Sequence, residues 1–584
     1  MLKSITYLSV ILLLLPAYAG NEYFVTPSHW FTCLAAGATM LWCGIRLFSR
    51  NMEMRMTLPD VAVLIFILYL LFNCLFAAHF PVTHLYVGLL LCCCIVLVMV
   101  RQQVSAPYFI PALTVLLLLS GCVQCVWGLL QQFGIISGYQ GRFRVVGSFQ
   151  NPGVYAGYLA CIFPFALSVL CGNAPKGQKA PAGVFTLLCL TVLPFTYARA
   201  AWAGAVCGMA MVAQYRYGWI QRFVRLKKAV TGMVILFIIL STGTAGYALY
   251  RLKPESAQGR ILIWKTTLDI FRDHPLAGSG FGTFPREYNI RQAAYFQSGQ
   301  GNGTEKYLAA CNRTAFNEYL QVAAETGLTG IILLSSVFGL LCRIKPVDAC
   351  SAGAMGSLGS LAVCACFSYP FHEMSIVAVA GCMFLTATCR MKGLELKNRK
   401  VAKGINATVL VVAGIIFYRS VMEMQAVRQW EKAVAQTELH SFDATQPEYE
   451  RLYGKLRHNP YFLYNYGTEL IQARQHEKGV ALLDETAKYF TDTDVLCSLG
   501  DGYTGTGDYD MAEKSYLQAS YMVPNKFYPL YCLAKLYRDT DKRDKALNVA
   551  NEIINKREKV KSYTTYKIRK EMISLRDSLS AFIP

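Results

Sequence analysis

A succession of apolar runs, each near the length of a membrane span and joined by short links, constrains this chain more than any other feature. Crossing the hydrocarbon core takes about 20 predominantly apolar residues, because a helix rises about 1.5 Å per residue. Runs of this kind lie near 5–19, 29–49, 60–79, 81–100, 108–133, 153–172, 182–197, 200–216, 228–250, 315–341, 352–368, 373–390 and 405–420. They predict an all-α, polytopic transmembrane protein with about 12–13 spans. Composition agrees: 54% of residues are hydrophobic and 16% charged, where a soluble domain carries about 25%.

The net charge is +20. In a nucleic-acid binder that excess gathers on one soluble face. Here it sits in links, so no nucleic-acid partner is expected. Arg46, Arg50 and Arg55 follow the second run, Arg101 the fourth, and Lys176 and Lys179 the sixth. Arg216, Arg222, Arg225, Lys227 and Lys228 follow the eighth, and Arg343 and Lys345 the tenth. Arg390, Lys392, Lys397, Arg399, Lys400 and Lys403 follow the twelfth. Every second link is basic, which fits an inside N-terminus and, after the last run, an outside C-terminus. Lys3, the first apolar run and Ala17-Tyr18-Ala19 also read as a cleavable signal peptide. Either reading leaves the later topology unchanged.

Two domains are expected: a transmembrane domain at 1–424, with an extracytoplasmic loop at about 251–314, and a soluble α-helical repeat domain at 425–584. The tail is polar and shows a period of 34, matching Tyr509-Asp510-Met511-Ala512 with Arg543-Asp544-Lys545-Ala546. Residues 459–490 read as an earlier, degenerate copy. The pattern resembles tetratricopeptide repeats, in which small residues mark close helix approach and stacked units bind partners. A protein partner through these repeats is therefore a possibility to test. The 21 Cys lie largely in apolar runs, where thiols act as small hydrophobes. No metal array is evident. Cys122-x-x-Cys125 has no His nearby, while Cys311, Cys497 and Cys532 fall outside the membrane, where pairing is open.

Three polar patches fall on the predicted outer side. Arg199 occupies a tight turn between two runs. Arg260 and Trp264, four apart, share a helix face and precede Gly278-Ser279-Gly280-Phe281-Gly282, whose backbone N–H groups suit an anion. Asn312 to Gln321 forms a helix mouth, with Glu318 and Gln321 on one face and Glu325 a turn inward. Arg199 and Arg260 are candidate partners for those carboxylates. Paired guanidinium forks match phosphate oxygens. The patches together point to a membrane enzyme or transporter handling a polyanionic lipid headgroup.

Four segments in order resemble the O-antigen ligase and polymerase superfamily of bacterial envelopes. They are Gly147-Ser148-Phe149-Gln150-Asn151-Pro152-Gly153 to Tyr158; Ala198-Arg199-Ala200-Ala201-Trp202; Gly259-Arg260 to Trp264 with His274-Pro275-Leu276-Ala277-Gly278; and Phe316-Asn317-Glu318-Tyr319-Leu320-Gln321 with Glu325-Thr326-Gly327. The resemblance covers about residues 60–390. It implies a glycosyltransferase in lipopolysaccharide or polysaccharide biosynthesis that moves a glycan from undecaprenyl diphosphate to an acceptor hydroxyl. The setting it implies is the bacterial inner membrane, multi-pass, with the tail in the periplasm. The acceptor is a glycolipid, a growing glycan or a protein, which correspond to ligase, polymerase and protein O-oligosaccharyltransferase. No cofactor or metal is implied.

Arginines matching Arg199 and Arg260 hold the diphosphate in the family, and a His just before the Asn-Glu pair is its proposed base. That position here is Phe316, which accepts no proton. Glu318, His372 and His274 are the candidate replacements, with His372 the best substitute, so Arg199, Arg260, Glu318 and His372 are the expected catalytic residues. Trp264, Arg313, Asn317, Tyr319 and Gln321 are the expected substrate-binding residues. A lipid-linked sugar flippase and a non-catalytic membrane scaffold are the competing classes.

Overall fold

The structure is a computed structural model that describes Ile11, Leu14 and residues 24–48, 54–78, 81, 83–104, 106–138, 143–224, 254–396 and 398–580. The expected run at 5–19, with its signal-peptide reading, lies outside the described residues apart from Ile11 and Leu14. So does the run at 228–250. The chain is an all-α, polytopic membrane protein. Among the described residues eight helices are long and apolar enough to cross a membrane: Pro27–Leu47, Leu58–Ala77, Leu85–Val104, Phe109–Gln132, Pro152–Cys171, Lys176–Thr196, Glu318–Cys342 and Arg399–Leu439. Ala349–Ala365 and Met374–Thr388 are shorter apolar helices.

Helix starts follow local chemistry. Thr26 precedes Pro27, Thr57 precedes Leu58-Pro59, and Asn151 precedes Pro152. In each case a side chain that satisfies orphan N–H groups is joined to a Pro that needs no hydrogen-bond partner. Pro152–Cys171 is the central helix, burying Tyr155, Tyr158 and Phe165 completely. It packs against Arg199–Tyr217 and Ala349–Ala365. A Cβ on Gly208 would lie 2.6 Å from the Gly356 carbonyl oxygen, so only glycine permits this backbone approach.

The basic links gather at one end. Met54–Met56 pairs antiparallel with Leu394–Leu396, and the Arg55 guanidinium donates to the Met391 carbonyl. Arg101, buried, pairs with buried Asp60 and donates to Thr388. Arg390 meets Asp348 at 2.8 Å. Links after the second, fourth, tenth and twelfth runs thus meet at one end of the bundle, as alternation of basic loops requires.

The Glu318–Cys342 helix is broken at Gly327 (φ 64°, ψ −163°). A break inside a span orphans backbone groups that lipid cannot satisfy. The glycine-rich segment supplies the partners. Ser279 and Gly280 N–H donate to the Ala324 and Glu325 carbonyls at 2.9 Å, and Leu328 N–H donates to the Pro275 carbonyl at 2.8 Å. Tyr69 adds its hydroxyl to the Thr326 carbonyl at 2.8 Å.

The Arg399–Leu439 helix runs 41 residues without interruption, so the expected boundary at 424–425 falls within a continuous helix. Consecutive helix pairs follow: Pro460–Gln472 with His476–Tyr489, Thr493–Thr506 with Tyr509–Met522, and Tyr528–Asp539 with Arg543–Asn555. Ala512 and Ala546, the residues spaced by 34, are fully buried. This tail grips the chain's own Phe284–Gln297 helix. Arg286 donates to the Ala487 carbonyl at 3.1 Å, Asn289 to the Thr491 carbonyl at 3.0 Å and Gln292 to the Met522 carbonyl at 2.6 Å.

Candidate active site

The end opposite the basic links opens into one cavity of about 1160 Å³. Its deep walls are apolar: Val63, Ile67, Leu89, Val96, Val337, Ala378 and Leu385. Its mouth is polar and includes Asn151, Arg313, Glu318, Gln321, Glu325 and His372. The start of the Pro152–Cys171 helix, the Glu318–Cys342 helix with the loop before it, and the short Pro370–His372 turn converge there, which is why residues far apart in sequence share the space.

His372 ends the turn at Pro370–His372. Its Nδ1 stands 3.5 Å from Glu318 Oε1, and the same carboxylate oxygen accepts Phe371 N–H at 2.8 Å. Gln321 Oε1 accepts Ala315 N–H at 2.9 Å. That contact fixes the amide, so Gln321 Nε2 donates to His372 Nε2 at 3.1 Å. The imidazole proton then sits on Nδ1, toward Glu318, and the lone pair on Nε2 accepts the Gln321 amide at the cavity mouth. Burial opposes charging of His372, but Glu318, its hydrogen bond, Glu325 and Glu373 outweigh it and hold the imidazole pKa above its ordinary value.

Phe316 adopts left-handed backbone (φ 51°), an outlier for a bulky residue. Its ring meets Tyr369 edge-on at 5.2 Å and carries Arg260 over it at 5.5 Å. Tyr197, two residues before Arg199, is left-handed as well (φ 51°). Strain of this kind collects at functional sites. Burial lowers the pKa of Arg260 and the neighbouring Arg199 lowers it further, while Tyr369 raises it. Two guanidinium groups held this close repel, and a bound polyanion relieves the repulsion. The pair adjoins the cavity through Phe316 and Tyr369, which line it, although Arg199, Arg260 and Trp264 are not lining residues themselves. Trp264 donates to the Ala315 carbonyl at 3.1 Å and so props the segment carrying Phe316.

The remaining expected residues divide. Tyr319 lines the cavity and donates its hydroxyl to the Ala362 carbonyl at 2.9 Å. Arg313 lies over the Tyr461 ring at 5.1 Å. Asn317 caps the Glu318–Cys342 helix, accepting Leu320 N–H at 3.0 Å.

Two sequence expectations are corrected. The glycine-rich turn is no anion cradle, because every N–H from Gly278 to Phe284 is taken by the protein. Gly278 to Gly280 and Thr283 donate to backbone carbonyls, Phe281 to Asn73, and Gly282 and Phe284 to Glu325. Glu325 is accordingly satisfied by backbone, and Glu318 by Phe371 and His372, rather than by the arginines. Cys311, Cys497 and Cys532 are free thiols. Among the described residues no group of three or more His, Cys, Asp or Glu is placed to hold a metal.

Sequence reasoning missed Tyr369, which links the arginine pair to His372, and every tail residue on the cavity. Their separation from the motifs in sequence left no local signal.

Residues 184–335 match the model of the O-antigen ligase family. The matched segment carries Arg199, Arg260 and the helix mouth at Arg313 to Gln321, whereas His372 and the tail lie beyond it. The match supports the O-antigen ligase superfamily and a membrane glycosyltransferase-like activity, with lipid-linked glycan and acceptor as coarse substrate classes. No curated protein matches the chain.

Proposed function

We propose that the protein transfers a glycan from undecaprenyl diphosphate to an acceptor hydroxyl on the outer face of the bacterial inner membrane, in lipopolysaccharide or polysaccharide assembly. One observation carries this reading: a single cavity joins an apolar shaft between membrane helices to a polar mouth containing His372 and Glu318, beside the Arg199–Arg260 pair. A lipid diphosphate has that same division into an apolar chain and an anionic head.

In this reading the acceptor hydroxyl displaces the Gln321 amide from His372 Nε2 and hydrogen-bonds there. Its oxygen attacks the anomeric carbon of the donor glycan as His372 takes the hydroxyl proton. The bond from that carbon to the phosphate oxygen breaks, and its electron pair leaves with undecaprenyl diphosphate. Arg199 and Arg260 stabilise the charge that develops on the departing group. Glu318 holds the imidazole tautomer and stabilises the imidazolium. Ligase, polymerase and protein-directed transferase share this step and differ in the acceptor. Residues 1–424 form the glycan-transfer domain, and 425–584 a tetratricopeptide-like periplasmic tail.

Glycan profiling of a deletion strain tests the proposal. Single capped units identify a polymerase, unattached lipid-linked chains a ligase, and unglycosylated envelope proteins a protein-directed enzyme. An unchanged profile with full transfer in isolated membranes refutes it.

A further inference from the structure

The helical tail is a wall of the cavity: His458, Asn459, Pro460, Tyr461, Tyr489 and Phe490 line it together with Glu318 and His372. The Tyr461 and Phe490 rings lie 5.5 Å apart at 35°, which makes one nearly continuous aromatic surface. Tyr461 is 37% exposed, an unusual state for an aromatic ring facing an internal space. Polar groups rim this surface. Arg313 packs over Tyr461 at 5.1 Å, and Asn312, His458 and Asn459 share the same lining.

The surface is rigidly held. Asn459 accepts Tyr461 and Phe462 N–H at 3.1 and 3.2 Å and fixes the start of that helix. His458 meets the Tyr489 hydroxyl at 3.3 Å. Arg286 and Asn289 grip the Ala487 and Thr491 carbonyls on either side of Phe490. A tail serving only to recruit other proteins has no need to seat aromatic rings in the cavity that His372 lines.

We propose that Tyr461 and Phe490, with Arg313, form a glycan-binding platform that positions a sugar chain against His372. A sugar ring presents an apolar C–H face that lies flat on an aromatic ring and hydroxyl edges that bond to polar neighbours. A lipid tail would want no polar rim, and a diphosphate would want cations rather than two rings. The inference rests on the transferase reading above. The glycan comes from the donor or from the acceptor, and the test separates these sources.

The experiment uses the full-length protein in liposomes with two extracts from a deletion strain, one of lipid-linked glycan and one of envelope acceptor. Each is varied while the other is held constant. Y461A and F490A are expected to raise the KM for one of the two by about tenfold or more, with kcat within about twofold. The substrate whose KM moves is the one on the platform. Y461F keeps the ring and is expected to raise that KM by less than Y461A does. Y461L keeps apolar bulk without a flat ring and raises the same KM, which covers a failure of Y461A to fold. Unchanged KM values for both substrates, or equal impairment in Y461F and Y461A, overturn the platform. Calorimetry with oligosaccharide released from the donor extract by mild acid separates the two levels. Binding that Y461A abolishes, in a protein that transfers nothing, keeps the platform and refutes the transferase. An acceptor-borne glycan reveals itself instead by the same titration with the acceptor extract.

Discussion

His372 Nδ1 faces Glu318 Oε1 at 3.5 Å, while Gln321 occupies its other nitrogen. An imidazole held between a carboxylate and an amide donor has one tautomer, with its single lone pair engaged by the amide until an acceptor hydroxyl displaces it. In the proposed mechanism, replacing His372 removes the base and leaves the binding surface intact. H372A and H372Q are expected to lower kcat by about 10²–10⁴-fold with little change in KM. A kcat within twofold of wild type in the liposome assay removes His372 from the mechanism.

The pH profile carries a signed prediction. A base works only when deprotonated, and burial of His372 is outweighed by Glu318, Glu325 and Glu373, which raise its pKa. The acid limb of kcat/KM therefore lies above the ordinary imidazole value of about 6.5. E318Q removes the largest of the raising charges, so its acid limb moves to lower pH. A limb that stays in place in E318Q, or moves upward, contradicts the assignment.

In the proposed mechanism Arg199 and Arg260 act on one anion, so their losses are not expected to add. R199A and R260A are each expected to cut transfer by about 10²–10³-fold, the scale for a charge-stabilising donor. The double variant falls by less than the product. R260K retains charge without the planar fork and recovers only part of the rate. Independent, multiplicative losses in the same assay argue for two separate binding sites.

The break at Gly327 predicts where the membrane domain is least tolerant. A Cβ there would lie 2.4 Å from the Leu276 carbonyl carbon, at a φ that L residues avoid. G327A is expected to cost at least about 1–3 kcal/mol and to lower the temperature at which detergent-solubilised protein loses its monodisperse peak. G339A, in the same helix with open space around it, leaves that temperature unchanged. Equal behaviour of the two variants disproves the close approach.

The tail's grip on the Phe284–Gln297 helix is testable by proteolysis. Gln292 is fully buried and bonds both Ala310 and Met522 carbonyls. Q292A removes the donor to the buried Met522 carbonyl, at about 1–3 kcal/mol, while the Ala310 carbonyl keeps the Asn312 amide. Limited trypsin digestion is then expected to release the tail faster than from wild type. Identical cleavage rates show that the contact does not hold the domains together.

The membrane class, most of the spans and the common end of the basic links were legible in the sequence. These follow from local rules: apolar length and the placement of Lys and Arg. Arg199, Arg260, Glu318 and Gln321 stood out as ionisable and polar groups at span ends against an apolar background, and His372 entered through the family resemblance, as a replacement for the base missing at Phe316. How they meet is set by tertiary packing. The bond of Gln321 to His372, the seating of Arg260 on Phe316 and the threading of Gly278–Phe284 into the Gly327 break all join groups from separate elements. A glycine-rich turn has the same sequence whether its N–H groups face an anion or another backbone, and only the fold assigns them. The tail shows the same limit. Its repeat pattern is local and legible, but the position of Tyr461 at the cavity depends on the bonds that Arg286, Asn289 and Gln292 make about 200 residues away.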